Sequence, residues 1–594
     1  MTLIVQKFGG TSVADTEKIL AAARKAVRAH QSGHQVVMVV SAMGKQTDEL
    51  VSLASEVTEK PPAREMDMLL STGEQVSVSL MAMAIDSLGY KAVSLTGGQI
   101  GIRTDSSHTK ARIISISTAR VSELLEEGNI VIAAGFQGID ENYDITTLGR
   151  GGSDTTAVAL AAVLQADACE IYTDVDGVYT TDPRVLPEAR RVRQVCYDEM
   201  LELASLGAGV MHSRSIEFAK KFNVAIHVRS SATDIPGTVI AAEPEIEGQS
   251  VSGAAVTKYE ARITVKDVPD VPGTSHEIFS RIALRKVTVD MIVQNVGDNG
   301  KASISFTVPQ DELEMTREAV QEALEKLGEG SVTFDREVSK ISAVGLGMAE
   351  QTGVANRMFR ALANTGINIQ MITTSEIKIS VLVGREQMLS ALRCVHKVYD
   401  LHETIEPAHQ KPPEINVDQD KPDAVDVVRR LQGIGMEDLM IHGVALDETQ
   451  ARVTINQVPN LPGVAAQIFD ALAAEKVFVD MIVQSYVDSD HADLGLTVPK
   501  DDLDRAKAVL AQLSTDLGCG AVTHSPDIAK LSVSGIGLRS HTSVAIRMFK
   551  AISEADINVQ MINTSEVRVN VVVDGAEGAK ALERLEDVFS DVIR

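Results

Sequence analysis

Asp290-Met291-Ile292-Val293-Gln294 returns unchanged as Asp480-Met481-Ile482-Val483-Gln484, and this repetition decides how the chain is built. Val271-Pro272-Gly273 recurs as Leu461-Pro462-Gly463, and Thr307-Val308-Pro309 as Thr497-Val498-Pro499. Gln370-Met371-Ile372 recurs as Gln560-Met561-Ile562, and Thr374-Ser375-Glu376 as Thr564-Ser565-Glu566. Each pair is separated by 190 residues, and a constant offset marks a tandem duplication with almost no insertion. The copies span 250–403 and 440–594. Between them, 404–439 carries Pro407, Pro412, Pro413, Pro422 and many charges, which predicts an exposed linker.

Each copy divides again. Strands are expected at Arg262–Val265, Val287–Val293, Ala302–Val308 and Val332–Phe334, with helices over Thr274–Arg285 and Asp311–Leu327. A similar βαββα order returns from Ile341, with helices Val354–Ala363 and Gln387–Val398 around strands Ile367–Ile372 and Ile377–Val383. The repeated half thus reads as four small α+β modules in two tandem pairs.

Residues 1–249 contain no repeat. Apolar runs Leu3–Phe8, Val36–Val40, Ile130–Ala134 and Ala168–Tyr172 alternate with helical stretches such as Thr16–Ala29 and Gln75–Ser87. That alternation predicts an open, mainly parallel α/β sheet with helices on both faces, which binds ligands at the carboxyl ends of its strands.

Composition narrows the function. With 56 Lys and Arg against 82 Asp and Glu, the net charge of −26 disfavours nucleic acid and anionic membrane as partners. Trp is absent, so base-stacking platforms are not expected. The four cysteines are widely spaced, as in a reduced cytosolic protein, and suggest neither a metal site nor a disulfide framework. No basic, apolar leader opens the chain, and no run approaches the ~20 apolar residues of a membrane helix. A cytoplasmic location is the expectation.

Three glycine-bearing stretches carry the chemistry. Lys7-Phe8-Gly9-Gly10-Thr11-Ser12 ends the first strand and leads into a helix. Adjacent glycines allow amides to close on a phosphate, and Lys7 adds a point charge. The same stretch could be only a tight turn. Gly149-Arg150-Gly151-Gly152-Ser153-Asp154 precedes an apolar helix. Arg150 can grip a carboxylate or phosphate, while Asp154 can cap the helix or meet a ligand. Tyr172-Thr173-Asp174-Val175-Asp176-Gly177-Val178-Tyr179 and Thr181-Asp182-Pro183-Arg184 form a polar loop after a strand. Ser41 ends another strand and Thr47 lies beyond it. Glu74, in Ser71-Thr72-Gly73-Glu74, falls at an expected helix start, where it could simply balance the helix dipole. Neither a Walker A pattern nor GxGxxG is found.

In this order the motifs resemble the aspartate kinases of the amino acid kinase family, and the repeated modules resemble ACT domains, small amino-acid-binding regulatory units. The resemblance runs along essentially the whole chain. Two ACT modules are usual in the family; four look like the duplicated form of some bacterial members. It implies transfer of the ATP γ-phosphate to the β-carboxylate of aspartate, the first step toward lysine, threonine and methionine. Lys7, Gly9 and Gly10 would hold the ATP phosphates, and Thr173, Asp174, Tyr179 and Arg184 would line the nucleotide. Ser41, Thr47, Glu74, Arg150 and Ser153 would contact aspartate, with Glu74 near its ammonium; Lys7, Arg150 and Asp154 would serve phosphoryl transfer. Mg²⁺ would be held mainly by the nucleotide phosphates, with no protein metal site. Lysine, threonine or both would bind between ACT modules, at Asp270, Gly273, Gln294, Asn295, Ser375 and Glu376 of the first copy and at Asn460, Gly463, Gln484, Ser485, Ser565 and Glu566 of the second. The more acidic first pair would prefer lysine. A homodimer through ACT modules is the expected assembly. One position departs from the family: Gly209 stands where a lysine is often found, and Lys220 or Lys221 could replace that cation. Another carboxylate or phosphate kinase of this fold, such as an acetylglutamate or uridylate kinase, and an amino-acid sensor with a decayed kinase half are the competing readings. ATP-dependent turnover and a substrate panel separate them.

Overall fold

The computed structural model describes residues 2–207, 209–244, 250–296, 300–348, 351, 353–403, 436–486, 490–538 and 543–593, with the side chains of 295, 296 and 543 excepted. Most of the expected linker lies outside the described residues.

In the N-terminal half the strands are, in chain order, β1 (Leu3–Phe8), β2 (Gln35–Val40), β3 (Ala92–Leu95), β4 (Ile102–Thr104), β5 (Ile113–Ile116), β6 (Ile130–Ala134), β7 (Gln137–Ile139), β8 (Ile145–Thr147), β9 (Ala168–Thr173), β10 (Gln194–Cys196), β11 (Ile226–Ser230) and β12 (Thr238–Ala241). Eight form one sheet in the order β10-β12-β11-β9-β1-β2-β6-β3. Every neighbouring pair is parallel except β11 with β12. The central strands are covered on both faces, which is why β1, β2 and β6 are nearly continuous apolar runs. A smaller sheet, β5-β4-β7-β8, stands beside them.

The helices are α1 (Thr16–Gln31), α2 (Gln46–Val57), α3 (Ala63–Ser87), α4 (Gly97–Ile100), α5 (Ala119–Glu126), α6 (Gly152–Val163), α7 (Tyr197–Ser205) and α8 (Ser213–Phe222). All twelve residues of α6 are buried, as its small apolar sequence requires. Contrary to the sequence expectation, α3 is long and apolar enough to cross a membrane by length and composition. It packs against the sheet instead, and buries Asp67 and Glu74 along one side.

The four modules lie along the chain as two tandem pairs; within each pair they are nested, and in space they dock crosswise between the pairs. Strand Gly253–Pro269 pairs with Ser331–Val344 along two separate stretches. Its Gly253–Thr257 end completes module 2, and its Arg262–Lys266 end belongs to module 1, so module 1 is inserted in module 2. Met440–Asp447 with Ile528–Ile536, and Gln450–Pro459 with Val522–Ser525, repeat this arrangement for modules 4 and 3. Modules 1, 2 and 3 share a ten-stranded sheet, joined where Ile372 and Thr373 of module 2 face Gln484 and Val483 of module 3. Module 4 lays its strand Met561–Thr564 beside Asp290–Val296 of module 1. The working interfaces are therefore 1 with 4 and 2 with 3. Where the chain is again described, Met436 is buried in the core of the N-terminal half, so this end of the expected exposed linker is docked.

Candidate active site and effector sites

The carboxyl ends of β1, β2, β6 and β9 form one mouth, and the glycine-bearing stretches meet there. The Lys7 ammonium lies 2.5 Å from the Asp154 carboxylate, with both side chains nearly buried at 11% and 12% exposure. Asp154 sits inside the first turn of α6, and Gly151, the residue that caps this helix, makes no side-chain cap bond. Asp154 is thus Lys7's partner and not a helix cap.

The Gly9 N–H donates to Tyr172 O at 3.2 Å, tying the first turn to the end of β9. Gly10 is required by closeness: a Cβ there would stand 2.7 Å from Ala42 O. Gly44 N–H donates to Gly10 O at 3.0 Å, and Ser41 N–H to Phe8 O at 3.1 Å. The Ser41 and Thr47 segment is thereby held against the first turn, with Thr47 on α2. Ser153 is buried against Gly135, where a Cβ would come within 2.7 Å of its hydroxyl. Arg150 is exposed between Gly149 and Gly151, both in left-handed backbone.

Glu74 lies in the interior of α3, not at a helix start, which overturns the helix-dipole alternative. One carboxylate oxygen accepts from Ala42 N–H at 3.1 Å; the other is buried without a hydrogen-bond partner. Burial pushes its pKa up to about 7, against the opposing pull of the Ala42 N–H. A buried carboxylate with one oxygen unsatisfied suits a ligand ammonium.

The loop after β9 holds the remaining nucleotide candidates. Thr173 donates to Asp174 at 3.1 Å, and the Tyr179 hydroxyl donates to Asp176 at 2.8 Å. Arg184 is highly exposed and paired with Asp182 at 2.8 Å. Lys220 and Lys221, the candidates for the cation missing at Gly209, both have partners of their own. Lys220 pairs with Asp198 at 2.5 Å and Lys221 donates to Asp438 O at 3.0 Å, both from the last turn of α8.

Asp67, His212 and Arg214 escape the sequence reading, yet they support the Gly149–Asp154 turn. Asp67, buried on α3, accepts from Thr147 Oγ1 at 2.5 Å and from Thr109 N–H at 3.0 Å. A Cβ on Gly151 would stand 2.3 Å from the Cβ of His212. The signal for Asp67 was present: it precedes Glu74 by two helical turns, so both acids share one face of α3.

The effector candidates fall into two kinds of site. Between modules 1 and 4, Asn558 donates to Asp270 at 2.8 Å, and Gln294 donates to Val559 O at 2.7 Å. Between modules 2 and 3, Asn368 donates to Asn460 Oδ1 at 2.9 Å, and Gln484 to Ile369 O at 3.0 Å. Gly273 and Gly463 start the adjacent helices in left-handed backbone. Ser485 is buried on its strand, and the side chain of Asn295 lies outside the described residues. Ser565 and Glu566 line a different cavity of about 90 Å³ between modules 1 and 4. Ser375 and Glu376 line its counterpart of about 730 Å³ between modules 2 and 3.

The amino acid kinase family model matches residues 2–230, and the ACT domain model matches 341–399, 455–513 and 531–589. Aspartate kinase of Pseudomonas putida is 48% identical over 403 residues, covering 68% of this chain and 98% of the relative. Aspartokinase 2 of Bacillus subtilis is 50% identical over 402 residues, covering 68% of this chain and 98% of the relative. Among solved structures, the aspartate kinase from Synechocystis matches 99% of this chain and 98% of its own, at 39% identity and a TM-score of 0.52. Aspartokinase III of E. coli, solved with aspartate and ADP, matches 67% of this chain and 99% of its own at 25% identity and a TM-score of 0.56. With such identity across almost the full length of those relatives, the chain belongs to the aspartate kinase family.

Proposed function

We propose that the mouth at the strand ends carries out the family reaction, transfer of the ATP γ-phosphate to the β-carboxylate of L-aspartate, with the residues in the following roles. The attacking carboxylate has an ordinary pKa of about 3.9, so it is already ionised and needs no general base. The obstacle is its repulsion from the anionic γ-phosphate. Lys7 supplies positive charge where the phosphoryl group moves, and Arg150, free to swing from its glycine-flanked turn, binds a substrate carboxylate bidentately. Glu74 takes the substrate ammonium, fixing which carboxylate points at the phosphate. Gly9, Gly10, Thr173, Asp174, Tyr179 and Arg184 hold the nucleotide, and Ser41, Thr47 and Ser153 complete the aspartate contacts. Asp154 holds Lys7 at the phosphoryl-transfer centre, and magnesium would be carried mainly on the nucleotide phosphates, where it would offset their charge.

The observation that carries this reading is the meeting of Lys7, Asp154 and the buried, half-satisfied Glu74 around one turn. Lysine, threonine or both regulate turnover from the crossed ACT interfaces, and a homodimer and a cytoplasmic location belong to the same reading. Such a dimer uses other faces of the modules, because the edges joining 1 to 4 and 2 to 3 are occupied within one chain. The test is an aspartate- and MgATP-dependent assay in which the acyl phosphate is trapped with hydroxylamine, with lysine and threonine added separately and together. Wild type should form the hydroxamate, and Lys7→Ala should lower the rate by orders of magnitude. An equal rate in the variant removes Lys7 from its role.

A further inference from the structure

The end of the linker enters the kinase half beneath the aspartate turn. Met436 is buried in its core, and its N–H donates to Ile114 O of β5 at 3.1 Å. The next residue, Glu437, accepts from Ile113 N–H at 2.9 Å through one carboxylate oxygen. Its other oxygen pairs with the Arg214 guanidinium, with Glu437 7% and Arg214 16% exposed. Arg214 also donates to Leu148 O and, at 2.5 Å, to Ala111 O. Leu148 is the residue immediately before Gly149, where the turn bearing Arg150, Ser153 and Asp154 begins.

We propose that Glu437 and Arg214 are positioning residues for aspartate, and that the aspartate turn is held in register by a residue supplied from beyond the first ACT pair. This rests on reading Gly149–Asp154 as the aspartate-binding turn. A guanidinium that bridges two carbonyls and a carboxylate fixes three chain segments in one plane, which a lysine cannot do. Here the segments are β5 with its lead-in, the end of β8, and the strap 436–438. Gly149 and Gly151 give the turn itself little stiffness, so its position depends on what grips it from outside. The strap continues directly into Met440–Asp447, an edge strand of module 4, and helix α8, which carries Arg214, packs on that module's strand Ile528–Ile536. A shift of module 4 therefore reaches the turn through two connected routes that meet at the Glu437–Arg214 pair.

The experiment uses the full chain with Glu437→Ala, Glu437→Gln, Arg214→Ala and Arg214→Lys. The alanine variants should raise the KM for aspartate by about tenfold, as expected for a misplaced substrate turn, while the KM for ATP stays within about twofold. Glu437→Gln keeps the shape but only one of the two acceptor oxygens, so it should recover only part of the loss; Arg214→Lys should recover little. Amide hydrogen exchange on the substrate-free chain gives a second readout that needs no turnover: residues 148–154 should exchange faster in Glu437→Ala, with β1 and β9 unchanged. An unaltered aspartate KM together with unaltered exchange overturns the proposal. So does a parallel rise of both KM values with a lowered Tm, because the pair is then only part of the general fold. Absence of aspartate-dependent turnover in wild type defeats the kinase reading instead, while the exchange experiment still reports on the strap.

Discussion

With the substrate ammonium placed at Glu74 as proposed, aspartate binding should depend on pH, and the size of the effect follows from the surroundings of this carboxyl group. In the free chain its pKa is raised from 4.5 to about 7, chiefly because burial penalises the charged form. At about 1.4 kcal/mol per pKa unit, keeping Glu74 ionised in the substrate-free fold costs about 3 kcal/mol. The folded chain holds this proton more tightly than the unfolded one. Its contribution to stability is therefore fully present below pH 4.5 and lost as pH rises through about 7. A substrate ammonium beside Glu74 reverses the preference, since an opposite charge favours the carboxylate. Binding then expels a proton, and aspartate affinity should climb by about tenfold per pH unit up to about 7 and level off above it. Both aspartate carboxylates are already ionised across this range, so they add no slope. Isothermal titration calorimetry between about pH 5.5 and 8, in two buffers of different ionisation heat, reads both the affinity and the released proton. Glu74→Gln keeps the shape and removes the titration; its affinity should be lower and flat. A flat wild-type curve, or a slope that survives in Glu74→Gln, refutes the placement of the ammonium at Glu74.

Removing one member of the nearly buried Lys7–Asp154 pair should destabilise the fold by about 3 kcal/mol, with Lys7→Ala/Asp154→Ala closer to wild type than either single change; urea midpoints decide it. Gly151→Ala combines left-handed backbone with a clash on the Cβ of His212 and should cost about 2 kcal/mol or more; His212→Ala keeps that Cβ, so the double variant should be no more stable than Gly151→Ala in the same assay. Glu202 of α7 and Lys378 of module 2 form a fully buried pair at 2.7 Å, so Lys378→Ala should lower stability by about 3–5 kcal/mol, whereas Glu202→Leu/Lys378→Met should largely restore it in thermal scans.

The parts of this molecule that were legible in the sequence are those governed by local rules. The apolar runs at Leu3–Phe8 and Val36–Val40 read directly as covered strands, and of the paired glycines after β1, for which a tight turn was the alternative, Gly10 does mark a close approach. Glu74 was misplaced because Ser71-Thr72-Gly73 resembles a helix start. In the folded chain Ser71 and Thr72 satisfy their hydroxyls on Met68 O and Leu69 O inside the helix, and Gly73 is there because Ala42 packs against it. The crossed module pairing was hidden for a different reason. Near-identical strands in the two copies offer near-identical edges, so the pattern of apolar residues fits either partner. In the fold the crossed partners are joined by side chains far apart in sequence, among them Asn558 against Asp270 and Thr374 accepting from Ile482 N–H. Met436 and Glu437 were overlooked because charge and proline upstream made the whole stretch read as solvated.

The crossed arrangement also bears on how regulation is assembled. A chain with one copy of the repeat would have Gln294 and Asp270 but no Val559 or Asn558 opposite them, and could complete the site only with a second molecule. Duplication places the complementary surface in the same chain, where a tether provides an effective concentration on the order of millimolar. The proposed effector sites between modules 1 and 4 and between 2 and 3 would therefore form without association. Inhibition by lysine or threonine should have the same midpoint over about a thousandfold range of enzyme concentration, from nanomolar to micromolar. Rate assays at each concentration, with sedimentation velocity alongside, measure this directly. A midpoint that shifts as chains associate would mean that the intrachain interfaces do not suffice, and that a second chain completes the sensor.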